Sequence, residues 1–493
     1  MGGSDIVSFE VSKGGPSGDL LSAKRGSVAA RIGFIGAGFF EYWRMYAGLK
    51  ERVERSMKQL ADLLEGLGEL YDPGLIDTID KADAAGRLFA DAKVTIVVVA
   101  EGTYCPDYFV HQALLHLPES VAVLLVASQE KDGLDFSAGY EESLANSGPM
   151  GIIQLACSFR KMDKYRAYHP VIGAVNDPAL HAEITRFVRV RKTIEELRFW
   201  NIGLIGHIFR GMYDFQYDKT SVSGTFGPHI MDIDLKHLSG ILAEVDGDGD
   251  EVREIAARVR IQYVVEDISE AELLRAARLG VAFGILVERY KLDGIALLGQ
   301  HFIEVEAKTT CYLGLAELLR SGKAQAVTEG DVLGLIMSKV MGDISGVTPF
   351  FGEWEEIDSG LNAILLLGHG FIDPRMARKD RPLFLKPACE EWGFEGKAPG
   401  IEATYVPGPV TVSHVIRHNS GWKMLVSEGE ILDCPPLCIS ESSIIFKVKR
   451  PVKEYFAELI RLGFSHHAIA CPGHIGDSLK LFAAQIGVEV CEL

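Results

Sequence analysis

The sequence predicts an α/β protein: two Rossmann-like α/β domains followed by a mostly antiparallel β, barrel-like C-terminal domain. Three observations predict it. Buried-strand runs such as ARIGFIGAG (30–38), AKVTIVVVA (92–100) and VAVLLVAS (121–128) alternate with runs of helical spacing, as parallel βαβ units require. A second series of the same kind begins near residue 198. Past about residue 345 the texture changes to apolar/polar alternation on both sides of a turn, the mark of antiparallel hairpins. At about 150 residues per domain, 493 residues accommodate three domains, placed at 1–175, 176–345 and 346–493.

The first strand run ends in glycines and is followed by EYWRMYAGLKERVERSMKQLADLLEGL, whose apolar residues recur at helical spacing, giving a βα unit. GAG at 36–38 suggests a dinucleotide fingerprint, but the third glycine position holds Glu41, which would repel a pyrophosphate, so the glycines serve a tight strand-to-helix turn. In the second series FWNIGLIGH reads as a strand. SEAELLRAARLGVAFGILVERYKL reads as a helix with Ser269 as N-cap and an acidic first turn, and DGIALLGQHF as a strand. The acidic turn EVDGDGDE (244–251) lacks the closing Glu of a calcium loop and is read as capping a helix. In the last region GPVTVSHVIRHNSGWKMLVSEGEILD alternates around Asn-Ser-Gly, and SSIIFKVKR adds another strand.

Charge and composition exclude whole classes. The net charge is −18 and the longest basic cluster is RVRK at 189–192, so no electrostatic footprint for nucleic acid is present. The N-terminus lacks a basic start followed by an apolar stretch, and runs such as VTIVVVA fall far short of a bilayer span, so no membrane partner and a cytoplasmic location are expected. The eight cysteines are scattered, with only Cys434 and Cys438 close together, which fits reduced thiols rather than a disulfide frame or zinc site.

Four short stretches carry the chemistry. AVTEGDVLGLIMSKVM puts Glu329 in a glycine-flanked turn before a helix, and GVTPFFGEWEEID puts Glu353 in an aromatic setting. NAILLLGHGFIDP ends an apolar strand in Gly368-His369-Gly370, exposing an imidazole at a strand mouth, where sites collect. GFSHHAIACPGH brings His466 and His467. In a strand their side chains alternate, so one imidazole would face a cleft while the other is held from behind. Each alone has an ordinary account as a cap neighbour, a solvated acid or a loop histidine. Together Glu329, Glu353, His369 and His467 form a mixed O/N set that suits Mn²⁺, with Co²⁺ or Mg²⁺ as substitutes.

At these residues the sequence resembles the L-arabinose and L-fucose isomerases, nearest the L-arabinose isomerase branch. The resemblance rests on EGD (329–331) with LGLIMSKVM, GVTPFF (346–351), LLLGHGFIDP (365–374), and SHHAI followed by LKLFAAQIGVEV. It implies that Glu329, Glu353, His369 and His467 bind the metal, with Glu329 and Glu353 also the acid/base pair, and that His466 supports them. LLVASQ places Gln129 where the family has a strand-end Gln near the sugar. The sequence departs from the pattern at the second carboxylate: Gly352 stands where the branch has Glu, and Glu353 where it has Asp. The implied activity is aldose–ketose isomerisation of a free sugar through an enediol, of the L-arabinose to L-ribulose, D-galactose to D-tagatose or L-fucose type. A homotrimer or homohexamer is implied as well. The alternatives are a non-catalytic sugar-binding protein and, last, a nicotinamide dehydrogenase. Ring opening must precede proton transfer, and His466 or His369 could assist it.

Overall fold

In the computed structural model, which describes residues 29–162, 167–298, 302–388, 397–435 and 437–493, the chain divides into two units. One comprises the described residues up to Glu196 together with Asp477–Ile486, and the other comprises Leu197–Gly476 and Gly487–Leu493. The N-terminal stretch read for a leader and Cys389 lie outside the described residues. The described cysteines are free thiols. Among the described residues no helix is long and apolar enough to cross a membrane.

The first unit is built on a parallel sheet whose strands run in the order Glu69–Tyr71, Arg31–Ala37, Ile96–Glu101, Ala122–Gln129 and Tyr168–Ala174. Both faces are covered, which is why these strands read as unbroken apolar runs. Ile32, Phe34, Val98 and Leu124 pack on one side with the helix Leu49–Glu65, and Ile35, Val97, Val99 and Leu125 pack on the other with Phe89 and Phe109. The helical run after the first strand is not one helix but two, Phe40–Met45 and Leu49–Glu65. Gly48 stands between them at φ 89, a left-handed conformation that breaks the spiral while leaving the apolar spacing intact.

The second unit contains a smaller parallel sheet in the order Gln325–Thr328, Gly294–Leu297, Asn201–Ile205 and His229–Ile233. The helix Glu270–Arg289 starts at Ser269 with a complete capping box to Glu272, and Asp250 and Glu251 open the helix Asp250–Gln262. The C-terminal strands form a closed antiparallel six-strand barrel. Its order is Gly408–His418, His467–Pro472, Phe350–Asp358, Ala363–Leu367, Ser443–Lys447 and Gly421–Ile431. The last of these pairs back onto Gly408–His418 through the hairpin read at Asn-Ser-Gly. Closure leaves no free edge among these six strands, and Glu489–Glu492 adds in parallel to Gly421–Ile431.

One buried acid stands apart in the first unit. Glu101, at the end of the strand Ile96–Glu101, is fully buried; its Oε2 accepts the Cys105 N–H at 3.2 Å, and Oε1 lacks a hydrogen-bond partner among the described residues. A Cβ at Gly151 would come within 1.6 Å of Oε2, so the helix Gly148–Lys161 approaches as only glycine allows. Burial pushes the Glu101 carboxyl from 4.5 up to about 8, with Asp107 adding to the rise. The folded state therefore holds a proton that the unfolded chain releases, so this contribution is complete below pH 4.5 and lost as the pH rises to about 8. We expect urea-unfolding stability to fall by roughly 3–5 kcal/mol across that window from this group. Glu101→Gln should flatten that slope, and an unchanged slope in the variant would contradict the assignment.

Candidate active site

The second unit assembles the site from two scaffolds. From the parallel sheet, the strand Gln325–Thr328 runs into Glu329 at φ 60 and Gly330 at φ 76, and then into the helix Val332–Ser345. Left-handed backbone is costly at a glutamate, and such strain gathers at functional positions. Gly330 has no room for a side chain: a Cβ would sit 2.8 Å from the His207 carbonyl oxygen and Ile208 Cα. The turn is further tied by the Phe209 N–H, which donates to the Glu329 carbonyl at 3.0 Å.

From the barrel come the other groups. Glu353 lies in the strand Phe350–Asp358 directly opposite His467 on one side and Leu367 on the other. His369 follows the neighbouring strand Ala363–Leu367 by two residues. Antiparallel pairing thus converts three distant stretches of sequence into adjacent side chains.

The four residues read as ligands converge. Nε2 of His369 lies 2.8 Å from Glu353 Oε1, and Nε2 of His467 lies 3.3 Å from Glu329 Oε2 and 3.5 Å from Glu353 Oε1. His466 joins them, its Nε2 4.0 Å from Glu329 and 3.9 Å from Glu353. One ligand atom each from Glu329, Glu353, His466 and His467 fall within 4.8 Å of one another. The expectation that the two histidines face opposite ways is corrected: both rings lie against Phe215, at 4.8 and 4.3 Å, and 4.6 Å from each other. His466 occupies a bend before the strand His467–Pro472, so strand alternation does not apply to it.

Charge explains the arrangement. Asp331, fully buried, accepts from His467 Nδ1 and His414 Nε2, each at 3.0 Å, through Oδ2, while Oδ1 caps the helix at Gly334 N. Burial disfavours its charge, but the two imidazoles and their hydrogen bonds outweigh burial and hold the carboxyl far below its usual range. The same contest keeps Glu353 low, through His369 and His467. Burial likewise opposes the charged form of His467, and the Asp331, Glu329 and Glu353 carboxylates overcome it and raise the imidazole well above its ordinary value. The Nε2 atoms of His369 and His467 are buried with no hydrogen bond of good geometry, despite their closeness to Glu353. Imidazole nitrogens and carboxylate oxygens crowded off-axis around one point, with anionic charge in excess, are a donor set that a divalent cation fits.

The site opens onto a cavity of about 650 Å³ whose lining includes Phe209, Met212, Glu353, Glu356, Glu441 and His466. Gln129 ends the strand Ala122–Gln129 in the other unit, and its role rests on the resemblance alone. Sequence reasoning missed Asp331, Asp214, His414 and Phe215. Asp331 stood in the quoted EGD as a potential cap, and His414 in an alternating strand, whereas nothing local marks Asp214 or Phe215.

No family model matches the chain. Among curated proteins it is similar to a sulfoquinovose isomerase of Alkalicoccus urumqiensis, 22% identical over 330 residues covering 66% of this chain and 72% of that protein. It is also similar to an L-arabinose isomerase of Pectobacterium atrosepticum, 24% identical over 345 residues covering 66% of each. Both relatives are named isomerases, and they bear out the resemblance to the arabinose isomerase-like family.

Asp331 generates a direct test. Asp331→Asn keeps size and a capping oxygen but removes the charge shared by two buried imidazoles, which should cost about 3–5 kcal/mol in denaturant unfolding. A loss below about 1 kcal/mol, the scale of an ordinary cap, would mean that the charge matters little.

Proposed function

We propose that this chain, related as it is to the arabinose isomerase-like family, is a metal-dependent aldose–ketose isomerase acting on a free, uncharged sugar of the L-arabinose, D-galactose or L-fucose kind. The observation that carries the reading is the convergence of Glu329, Glu353, His369 and His467 beside a sugar-sized cavity. These four would hold the ion, with the mixed oxygen and nitrogen donors suited to Mn²⁺ and accepting Co²⁺ or Mg²⁺. When bound, the ion supplies Lewis-acid stabilisation of the negative charge that builds on two neighbouring sugar oxygens.

The remaining work falls to the chain's own groups. One of the two glutamates takes the proton from C2 and the other delivers a proton to C1, while the O2–H proton passes to O1 across the enediol that lies between the two transfers, so the ketose forms without gain or loss of atoms. Glu353 is held ionised by its imidazole neighbours, so it enters the step as a carboxylate rather than as an acid. His466 lines the same cavity, where its imidazole would meet an oxygen of a sugar bound there.

The cavity also speaks to substrate charge. Its lining carries Glu329, Glu353, Glu355, Glu356 and Glu441 and, among the described residues, no Lys or Arg. A sulfonate or phosphate would be repelled there, whereas hydroxyl groups find acceptors. This favours the neutral-sugar reading over one in which the substrate is a sulfonated sugar, as the name of the first relative suggests for that protein.

Ketose formation from a panel of pentoses and hexoses with Mn²⁺ should show turnover on a neutral aldose at least 10²-fold above that on its sulfonated or phosphorylated counterpart. The active preparation should run as a homotrimer or homohexamer in light scattering. No turnover of any neutral aldose, or preference for the anion, would contradict the proposal.

Glu329→Gln separates catalysis from structure. As a mere turn residue it would shift stability by about 1 kcal/mol or less and leave activity intact. As ligand and proton carrier, its replacement should cut turnover at least 10²-fold at saturating Mn²⁺ with the fold preserved. Wild-type turnover in the variant would remove Glu329 from the mechanism.

A further inference from the structure

Between the strand Asn201–Ile205 and the helix Lys219–Phe226 a loop carries the short 3-10 turn Tyr213–Phe215 to the candidate site. One oxygen of Asp214, Oδ2, takes three contacts from a single bend of the chain: His466 Nδ1 at 2.7 Å, the His466 backbone N–H at 3.3 Å and Ser465 Oγ at 3.2 Å. The next residue, Phe215, is fully buried and lies against the His466 ring at 4.8 Å. The imidazole is therefore fixed in both tilt and rotation. A carboxylate on Nδ1 requires the N–H there, so in the neutral ring the lone pair is on Nε2.

Among the described residues Nε2 makes no hydrogen bond. His466 Nε2 stays 3.9 to 4.0 Å from the carboxylates of Glu353 and Glu329, farther than His467 Nε2 at 3.3 to 3.5 Å, and its ring lines the cavity with 38% of the side chain exposed. His467 is wholly buried and held on Asp331. The two adjacent histidines thus have separate carboxylate anchors and separate outlooks, one wholly within the cluster and one at the cavity wall.

We propose that Asp214 is the positioning residue of His466, fixing its tautomer and aim so that Nε2 serves the opening of the cyclic sugar. This rests on the isomerase reading above. In the step, Nε2 takes the proton of the anomeric O1–H while the O1 electron pair forms the C1 carbonyl. The C1–O5 bond breaks with its pair remaining on O5, and Nε2–H returns the proton to O5. The imidazole ends as it began, and the sugar is open without gain or loss of atoms. Asp214 touches no reacting atom.

The test uses the full chain. Asp214→Asn should lower kcat by 10- to 100-fold while KM and calorimetric Mn²⁺ affinity stay within threefold of wild type. In a His466→Ala background the same substitution should change kcat by less than twofold, because its effect passes through that ring. Independently of activity, ¹⁵N-histidine spectra of metal-free protein should show His466, identified by its loss in His466→Ala, protonated at Nδ1. In Asp214→Asn they should show mixed tautomers. If Asp214→Asn fails to fold, Asp214→Ser takes its place. Unchanged kcat, a full loss persisting in the His466→Ala background, or an unchanged tautomer would each overturn the proposal. A wild-type chain that forms no ketose from any aldose would instead sink the isomerase reading and the ring-opening step, while the spectra still decide whether Asp214 positions the ring.

Discussion

The site depends on a single buried carboxylate. Asp331 caps the helix Val332–Ser345 with one oxygen and grips two imidazoles with the other, so the helix, the strand Gly408–His418 and the strand His467–Pro472 share one anchor. An isolated charge in so dry a place would be prohibitive. It is tolerated because three donors, two imidazoles and the Gly334 N–H, meet its oxygens and because the helix N-terminus supplies a favourable field. The consequence is mechanical as much as electrostatic. With Nδ1 of His467 occupied, the ring has one orientation, and its other nitrogen is aimed at Glu329 and Glu353.

Two rigid frameworks meet at that anchor. The parallel sheet delivers Glu329 on a tight left-handed turn, and the barrel delivers Glu353, His369 and His467 by strand register. A closed barrel cannot slip by one residue without turning every inward side chain outward, so register protects the spacing of the cluster. The turn cannot relax either, because Gly330 is wedged against the backbone at His207 and Ile208. Positions set in this way favour preorganised chemistry over induced rearrangement.

Much of this was legible in the sequence because it is written in local patterns. Apolar runs gave the strands, the change of period near residue 345 gave the barrel, and Glu329, Glu353, His369 and His467 stood out at turns and strand ends. What was hidden is what long-range folding decides. Gly48 breaks a helix without disturbing its apolar spacing, so periodicity cannot see the break. Asp214 meets His466 across 252 positions and His414 meets Asp331 across 83, and one sequence holds no record of such pairings. The relation between His466 and His467 was misjudged for a smaller reason: the strand begins one residue later than alternation assumes.

The helix Gly476–Ile486 has a consequence for how the protein is made. Its residues from Asp477 belong with the described residues up to Glu196, and Leu481 packs against the core of that first α/β unit, although the chain between them builds the other unit. A ribosome delivers this helix some 280 residues after Glu196, so its contact with the N-terminal core forms long after that sheet has emerged, against the usual habit of domains to finish as they emerge. A fragment cut at residue 196 would keep both covered faces of the sheet and lose the apolar contact that Leu481 adds to one of them, exposing a patch that the whole chain conceals.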